Sequence, residues 1–152
     1  MGRLNMPTYR AAADIAAPID VVWDVLTDLD GYPSWNPFTI AARSPLAVGG
    51  PVKLHVVMWG GWLKLWQREV LSAVEAPHTL DWGARVMGGM VVAARTQRLT
   101  PLPDGGTRYE TEDAITGPLA WLVELLFGGS LRRGFAGVAE GLRTAAEAKG
   151  SP

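Results

Sequence analysis

The chain has 152 residues, 48% of them hydrophobic and 19% charged, with a formal net charge of −1, proportions that fit a globular protein and give no electrostatic case for binding nucleic acid. It contains no cysteine, which excludes a disulfide framework, a thiolate metal site and a cysteine nucleophile. No uncharged apolar run reaches the roughly 18 residues of a transmembrane segment, and Met1 to Pro7 lacks the apolar stretch of a secretory signal, so a cytoplasmic location is expected.

From Thr8 to Ala16, Tyr9, Ala11, Ala13 and Ile15 alternate with Thr8, Arg10 and Asp14, which predicts a half-buried strand. Pro18 then opens a short helix, Ile19 to Leu29, apolar along Val22, Val25, Leu26 and Leu29 and acidic along Asp20, Asp24 and Asp28. A second turn around Asp30-Gly31-Tyr32-Pro33 leads into Ser34-Trp35-Asn36-Pro37-Phe38, where Pro37 bars a continuing helix. Glycine pairs at 49-50, 60-61, 88-89 and 105-106 punctuate the middle of the chain. Adjacent glycines supply the positive φ angles of tight hairpin turns. The segment therefore reads as a meander with strands at about 38–44, 51–59, 62–75, 79–86, 90–101 and 106–116, the remaining turn being Glu75-Ala76-Pro77-His78.

The last element is a long helix from Pro118 to about Lys149, with proline in the first turn where its missing N–H costs nothing. Leu131, Phe135, Val138, Leu142 and Ala145 draw one apolar stripe along its second half. Leu119 to Phe127 is apolar nearly all round, and the apolar direction shifts at Gly128-Gly129, which predicts a kink there. Seven strands, two short helices after the first and one long C-terminal helix give an α+β layer arrangement. Residues 1–152 are expected to form one domain, with flexible tails at 1–6 and 149–152.

Ala17-Pro18 followed by Val22-Trp23, Leu26, Asp28, Tyr32 and Trp35-Asn36-Pro37-Phe38 resembles the N-terminal signature of the SRPBCC superfamily (START and birch-pollen-allergen-like), particularly its polyketide cyclase/dehydrase family. Leu80-Asp81-Trp82, Gly105-Gly106-Thr107-Arg108 and the acidic residue before Gly117 also sit where that family has them. The resemblance covers essentially the whole chain. It implies a helix-grip fold, in which the sheet wraps the C-terminal helix around an internal cavity for a small hydrophobic molecule. Chemistry is not implied with the fold, because the superfamily includes cyclases, dehydratases, hydrolases, carriers and receptors. Where relatives often place a histidine, this chain has Arg95, so a histidine-based mechanism does not carry over.

Pairing across Gly105-Gly106 gives Arg95 its neighbours. If Leu99 faces Tyr109, then Gln97 faces Thr111 and Arg95 faces Asp113, all on one face with Val91, Ala93 and Ile115. That face is the expected interior, and Arg95 with Asp113 is a candidate ion pair within it. Across Trp59-Gly60-Gly61-Trp62, His55 falls opposite Trp66, so His55, Trp59, Trp62 and Trp66 share a face. Turned inward, this set is an aromatic wall with one proton-transferring imidazole. Turned outward with Lys53, Lys64 and Arg68, it marks a homodimer or membrane-surface patch, while Val52, Leu54, Val56, Met58, Leu63 and Leu65 fill the interior. A bulge in the strand over 62–75 would reconcile the two parities. Glu124 lies either toward the sheet, as a cavity carboxylate with a raised pKa, or toward solvent.

No nucleotide-binding, phosphate-loop, zinc-protease or nucleophile-elbow motif is present, and no cofactor or metal is expected. Two functions lead, ahead of a third, an assembly or membrane-contact role through the tryptophan face and Leu119 to Phe127. One is a cyclase or dehydratase in which Arg95 orients a carbonyl and His55, Tyr109 or Asp113 move protons. The other is a carrier for an apolar metabolite. In both, Trp35, Phe38, Trp59, Trp66, Trp82, Gln97, Thr111 and Phe127 are the expected ligand contacts.

Overall fold

The computed structural model describes residues 6–150; the expected tails at 1–5 and 151–152 lie outside the described residues, and 149–150 are helical rather than a tail. Strand β1 (Thr8–Ile15) is followed by α1 (Ile19–Thr27), a single 3-10 turn (Leu29–Gly31) and the short α2 (Tyr32–Trp35). The meander then runs through β2 (Thr39–Arg43), β3 (Pro51–Met58), β4 (Leu63–Glu75), β5 (Thr79–Val86), β6 (Val91–Pro101) and β7 (Thr107–Thr116). Helix α3 (Ala120–Gly150) ends the chain. All seven strands join one antiparallel sheet in the order β1-β7-β6-β5-β4-β3-β2. This is the expected helix-grip architecture.

Helix α3 lies against the inner face because its stripe has nowhere else to be buried. Leu131, Phe135, Val138, Leu142 and Ala146 are all buried; Ala146, rather than Ala145, completes the stripe. Gly128 and Gly129 are helical, so the expected kink is not a break. Two mid-helix glycines cost about 1 kcal/mol each, and anchoring on both sides outweighs that cost. Before the pair, the Leu126 carbonyl accepts the Trp59 indole N–H at 2.7 Å. After it, Ser130 Oγ accepts the Trp59 backbone N–H at 2.9 Å and the buried half of α3 follows.

The Trp35-Asn36-Pro37-Phe38 segment is held by Asn36, whose side-chain oxygen accepts the N–H groups of Phe38 (3.0 Å) and Thr39 (2.8 Å) and so starts β2. The segment rests in a notch on α3 made by Gly134, Gly137 and Gly141. A Cβ on these glycines would lie 2.3 Å from the Phe38 ring, 2.9 Å from Pro37 and 2.3 Å from the Trp35 carbonyl oxygen. The segment is recognisable in the sequence, whereas the notch that receives it is not. The first glycine of every pair in the meander has positive φ, and Trp59-Gly60-Gly61 and Met87-Gly88-Gly89 adopt almost the same backbone.

The parity of β3 and β4 is settled by burial. Val52, Leu54, Val56 and Met58 are buried inward with Leu71, while Lys64, Trp66, Arg68 and Val70 are exposed. The ladder between β4 and β5 shifts between Leu71 and Ala73, a bulge that returns Val74 to face Leu80.

Candidate functional site

One rung of the sheet organises the interior. Tyr9, Asp113, Arg95, Trp82 and Leu71 pair in succession across β1, β7, β6, β5 and β4, and all five are buried. The β6–β7 hairpin holds the register read from its sequence, with Leu99 opposite Tyr109, Gln97 opposite Thr111 and Arg95 opposite Asp113. Between this rung and α3 lies a cavity of about 530 Å³. Its walls are mainly apolar, among them Phe38, Leu54, Val56, Trp82, Phe127 and Phe135, and Arg95, Asp113 and Glu69 border it as charged groups from the inner face.

Arg95 is fixed on every side. Its Nε–H donates to Thr111 Oγ1 at 3.1 Å and an Nη2 hydrogen reaches the Tyr109 hydroxyl at 3.4 Å. Its guanidinium lies 4.6 Å from the Phe135 ring centre and 5.6 Å from that of Trp82, within the range where a cation is attracted to an aromatic face. Behind it, the Tyr109 hydroxyl donates to Gln97 Oε1 at 2.7 Å and Gln97 Nε2 donates to the Leu80 carbonyl at 3.3 Å. The expected Arg95–Asp113 ion pair is absent among the described residues. The guanidinium turns toward Thr111, Tyr109 and the two rings instead, and Asp113 Oδ1 is left buried without a hydrogen-bond partner.

Glu69 was not anticipated. It sits on the inward side of β4 opposite Val52 and is buried. Burial, and then the negative charge of Asp113, push its carboxyl up to about 7 against the pull of Arg95. Asp113 is likewise pushed up by burial to about 6, with Arg95 opposing. Two carboxyl groups thus border one cavity near a single guanidinium, with proton affinities raised into the neutral range. The clue available in the sequence was parity: Glu69 shares the inward set with Val52, Leu54 and Val56 once the aliphatic residues are placed inside.

The cavity opens where the sheet ladder stops. The last β4–β5 pair is Val70 with Gly83, so Leu65 to Glu69 have no partner in β5. Trp66 and Arg68, although on the outer face, border the cavity here, opposite Ala84, Val86 and Met87. Val123 and Phe127 of α3 close the other side.

The sequence pattern of the "Polyketide cyclase / dehydrase and lipid transport" family matches residues 6–147. The chain belongs to this family. No curated protein matches it. The fold of this polyketide cyclase/dehydrase family member is shared by protein NE0264 from Nitrosomonas europaea, at 19% identity over 93% of this chain and 95% of that one, with a TM-score of 0.73. The di-domain ARO/CYC StfQ from the steffimycin biosynthetic pathway matches at 15% identity over 98% of this chain and 52% of its own, TM-score 0.71. Ara h 8.0201 matches at 12% identity over 95% and 97%, TM-score 0.62.

Within this family member the other candidate residues fall into three places. Phe38, Trp82 and Phe127 line the cavity and Trp66 stands at its mouth. Gln97, Tyr109 and Thr111 form the layer behind Arg95 and are not on the cavity wall. His55 lies on the outer face, its ring stacked 4.6 Å from Trp66, because the aliphatic residues of β3 take the interior. Trp35 packs edge-on against Tyr32 at 5.0 Å, away from the cavity. Trp59 stacks on Phe127 at 5.3 Å and donates its indole N–H to the Leu126 carbonyl at 2.7 Å. Glu124 takes the solvent side of the two expected positions: it is off the cavity wall, and hydrogen bonds from Tyr9 and Arg132 hold its carboxyl below the usual range. Among the described residues no cluster of metal-binding side chains occurs, and no helix is long and apolar enough to cross a membrane.

Proposed function

We propose that the cavity binds a small hydrophobic, polyketide-like or aromatic metabolite and promotes its cyclisation or dehydration by acid–base catalysis. The observation that carries this reading is the grouping of Arg95 with two carboxyl groups of raised proton affinity in an otherwise apolar chamber. Near neutral pH such a pair holds a proton to give and a carboxylate to receive one. In a dehydration, the carboxylate removes a proton from the carbon next to a substrate carbonyl. Arg95 holds the enolate oxygen, and the protonated partner gives its proton to the departing hydroxyl, so that water leaves and a C=C bond forms. Asp113 and Glu69 are the proposed proton carriers, Tyr109 and Thr111 position Arg95, and His55 takes no part.

The alternative is a non-catalytic carrier. It is favoured by one observation: Tyr109 and Thr111 both accept from Arg95 and donate in turn to Gln97 and to the Thr96 carbonyl, so few polar groups are left for a ligand. Native mass spectrometry of the protein purified from its source cell separates the two, since a carrier releases its ligand unaltered and an enzyme releases a ring-closed or dehydrated product. With a substrate in hand, Arg95→Ala and Asp113→Asn should each abolish turnover; unchanged turnover in both would remove the catalytic reading.

A further inference from the structure

The large apolar side chains exposed to solvent are concentrated at one end of the molecule. Trp59, Trp62 and Trp66 come from the β3–β4 turn and the start of β4, and Val86, Met87 and Met90 from the β5–β6 turn. Trp121, Leu125 and Leu126 come from the first turns of α3. The exposure is high at the tips: Trp62 is 93% exposed, Leu125 71% and Met87 64%. The three segments are tied together. The Leu119 N–H donates to the Met90 carbonyl at 3.0 Å, and Trp59 bonds to Leu126 and Ser130. Trp59 and Met87 both stand at positive φ, a conformation uncommon for side chains of that size. Between the segments lies the mouth of the cavity.

The start of α3 breaks the ordinary pattern of a surface helix. Val123 and Phe127 line the cavity, while Trp121 and Leu125, on the other side, face solvent with no core to cover them. In the second half of the same helix the outward positions are Arg132, Arg133, Glu140 and Arg143. An apolar rim of this extent is a contact surface. Cations border it: Lys64, Arg68, Arg85 and Arg133 make no ion pair among the described residues, on a chain whose net charge is −1. Glu124, the carboxylate of this part of α3, is already taken by Arg132 and Tyr9.

We infer that this end docks on an anionic lipid surface, with Trp62, Met87 and Leu125 entering the interface and Lys64, Arg85 and Arg133 meeting the headgroups. Tryptophan at an apolar–aqueous boundary and flanking cations are the side chains such a surface favours. A second copy of the chain is the poorer occupant, because a two-fold contact would set the same unpaired cations against one another. Docked this way, the cavity mouth faces the bilayer, and an apolar ligand passes between membrane and cavity without crossing water. That last point rests on the ligand-binding reading; the docking does not.

The test is co-sedimentation with vesicles of phosphatidylcholine alone and of phosphatidylcholine mixed with phosphatidylglycerol, with tryptophan emission read in parallel. Binding is expected on the mixed vesicles, with a blue-shifted emission quenched by brominated acyl chains, and it should weaken as salt rises. Trp62→Ser and Leu125→Ser should each lower the partition coefficient about tenfold. Lys64→Glu combined with Arg133→Glu should act on the anionic vesicles alone. Val48→Ser, an exposed apolar residue of the β2–β3 loop away from this rim, is the control and should change nothing; thermal melts verify that each variant is folded. No partition on either vesicle overturns the inference, as does partition that survives both rim substitutions. A concentration-dependent dimer dissociated by Leu125→Ser, without vesicle binding, also overturns it and gives the rim to a second copy. Failure to find a cavity ligand leaves these readouts untouched, so the two proposals fail separately.

Discussion

Replacing Glu69 with glutamine keeps the side chain's shape and removes the charge that the interior resists. In the folded chain the Glu69 carboxyl titrates at about 7, against 4.5 for an unperturbed glutamate. Because the folded pKa is the higher one, the native state holds the proton more tightly than the unfolded state does. Stability therefore falls as pH rises through this window, and the full cost of the buried carboxylate is present only above the folded value. The difference corresponds to a cost on the order of 3 kcal/mol, set mainly by burial and in part by the charge of Asp113. For a chain of this length a change of that size moves the midpoint of thermal unfolding by roughly 6–12 °C. Glu69→Gln is thus expected to melt higher than the parent at pH 8 by that amount and within a degree or so of it at pH 4, where both forms are neutral. Circular-dichroism melts of parent and variant between pH 4 and 8 measure the difference directly, and the titrations of groups that do not interact with Glu69 cancel in it. A variant that is equally destabilised at every pH, or a difference that shrinks as pH rises, would refute the argument that burial raises this carboxyl.

The remaining predictions concern packing and the outer face. Gly141→Ala would bring a Cβ to 2.3 Å from the Trp35 carbonyl oxygen, backbone that cannot step aside, so a loss of about 1–3 kcal/mol is expected in urea unfolding. Gly129→Ala meets nothing nearer than the flexible end of Arg133 at 3.3 Å, and the gain in helix propensity should stabilise the chain by about 0.5–1 kcal/mol. Leu142→Ala, at a fully buried position, should cost about 2–5 kcal/mol in the same assay. His55→Ala removes a stacking partner of Trp66 on the outer face; titration of a cavity ligand followed by calorimetry should give an unchanged Kd, and a tenfold weakening would return His55 to the site.

The strand meander could be read from the chain because its punctuation is local. Glycines in turns act over a few residues, and alternation along a strand reports burial on one face. The β6–β7 register followed from the same rules, since both strands are continuous between Gly105-Gly106 and their far ends, and Arg95 and Asp113 fell opposite one another. Those rules were nearly balanced in β4. Its outward side mixes Trp66 and Val70 with Lys64 and Arg68, and its inward side mixes Gln67 and Glu69 with Leu63, Leu65 and Leu71, so alternation favours the correct face only weakly. Only the pairing of Glu69 with Val52 and the bulge between Leu71 and Ala73 fix which side is inside.

Pairing distance along the chain separates what was legible from what was not. Composition, turn chemistry and short-range periodicity determined the α+β order of elements and the facing residues of the last hairpin. Contacts between residues far apart in sequence decided the rest: the seating of Trp35 to Phe38 in the glycine notch of α3, the capture of Glu124 by Tyr9, and the meeting of Glu69 with Asp113 across the cavity. The physical reason is that burial, and with it the proton affinity of a carboxyl group, belongs to the space enclosed by several elements at once, and no single stretch of the chain encloses that space alone.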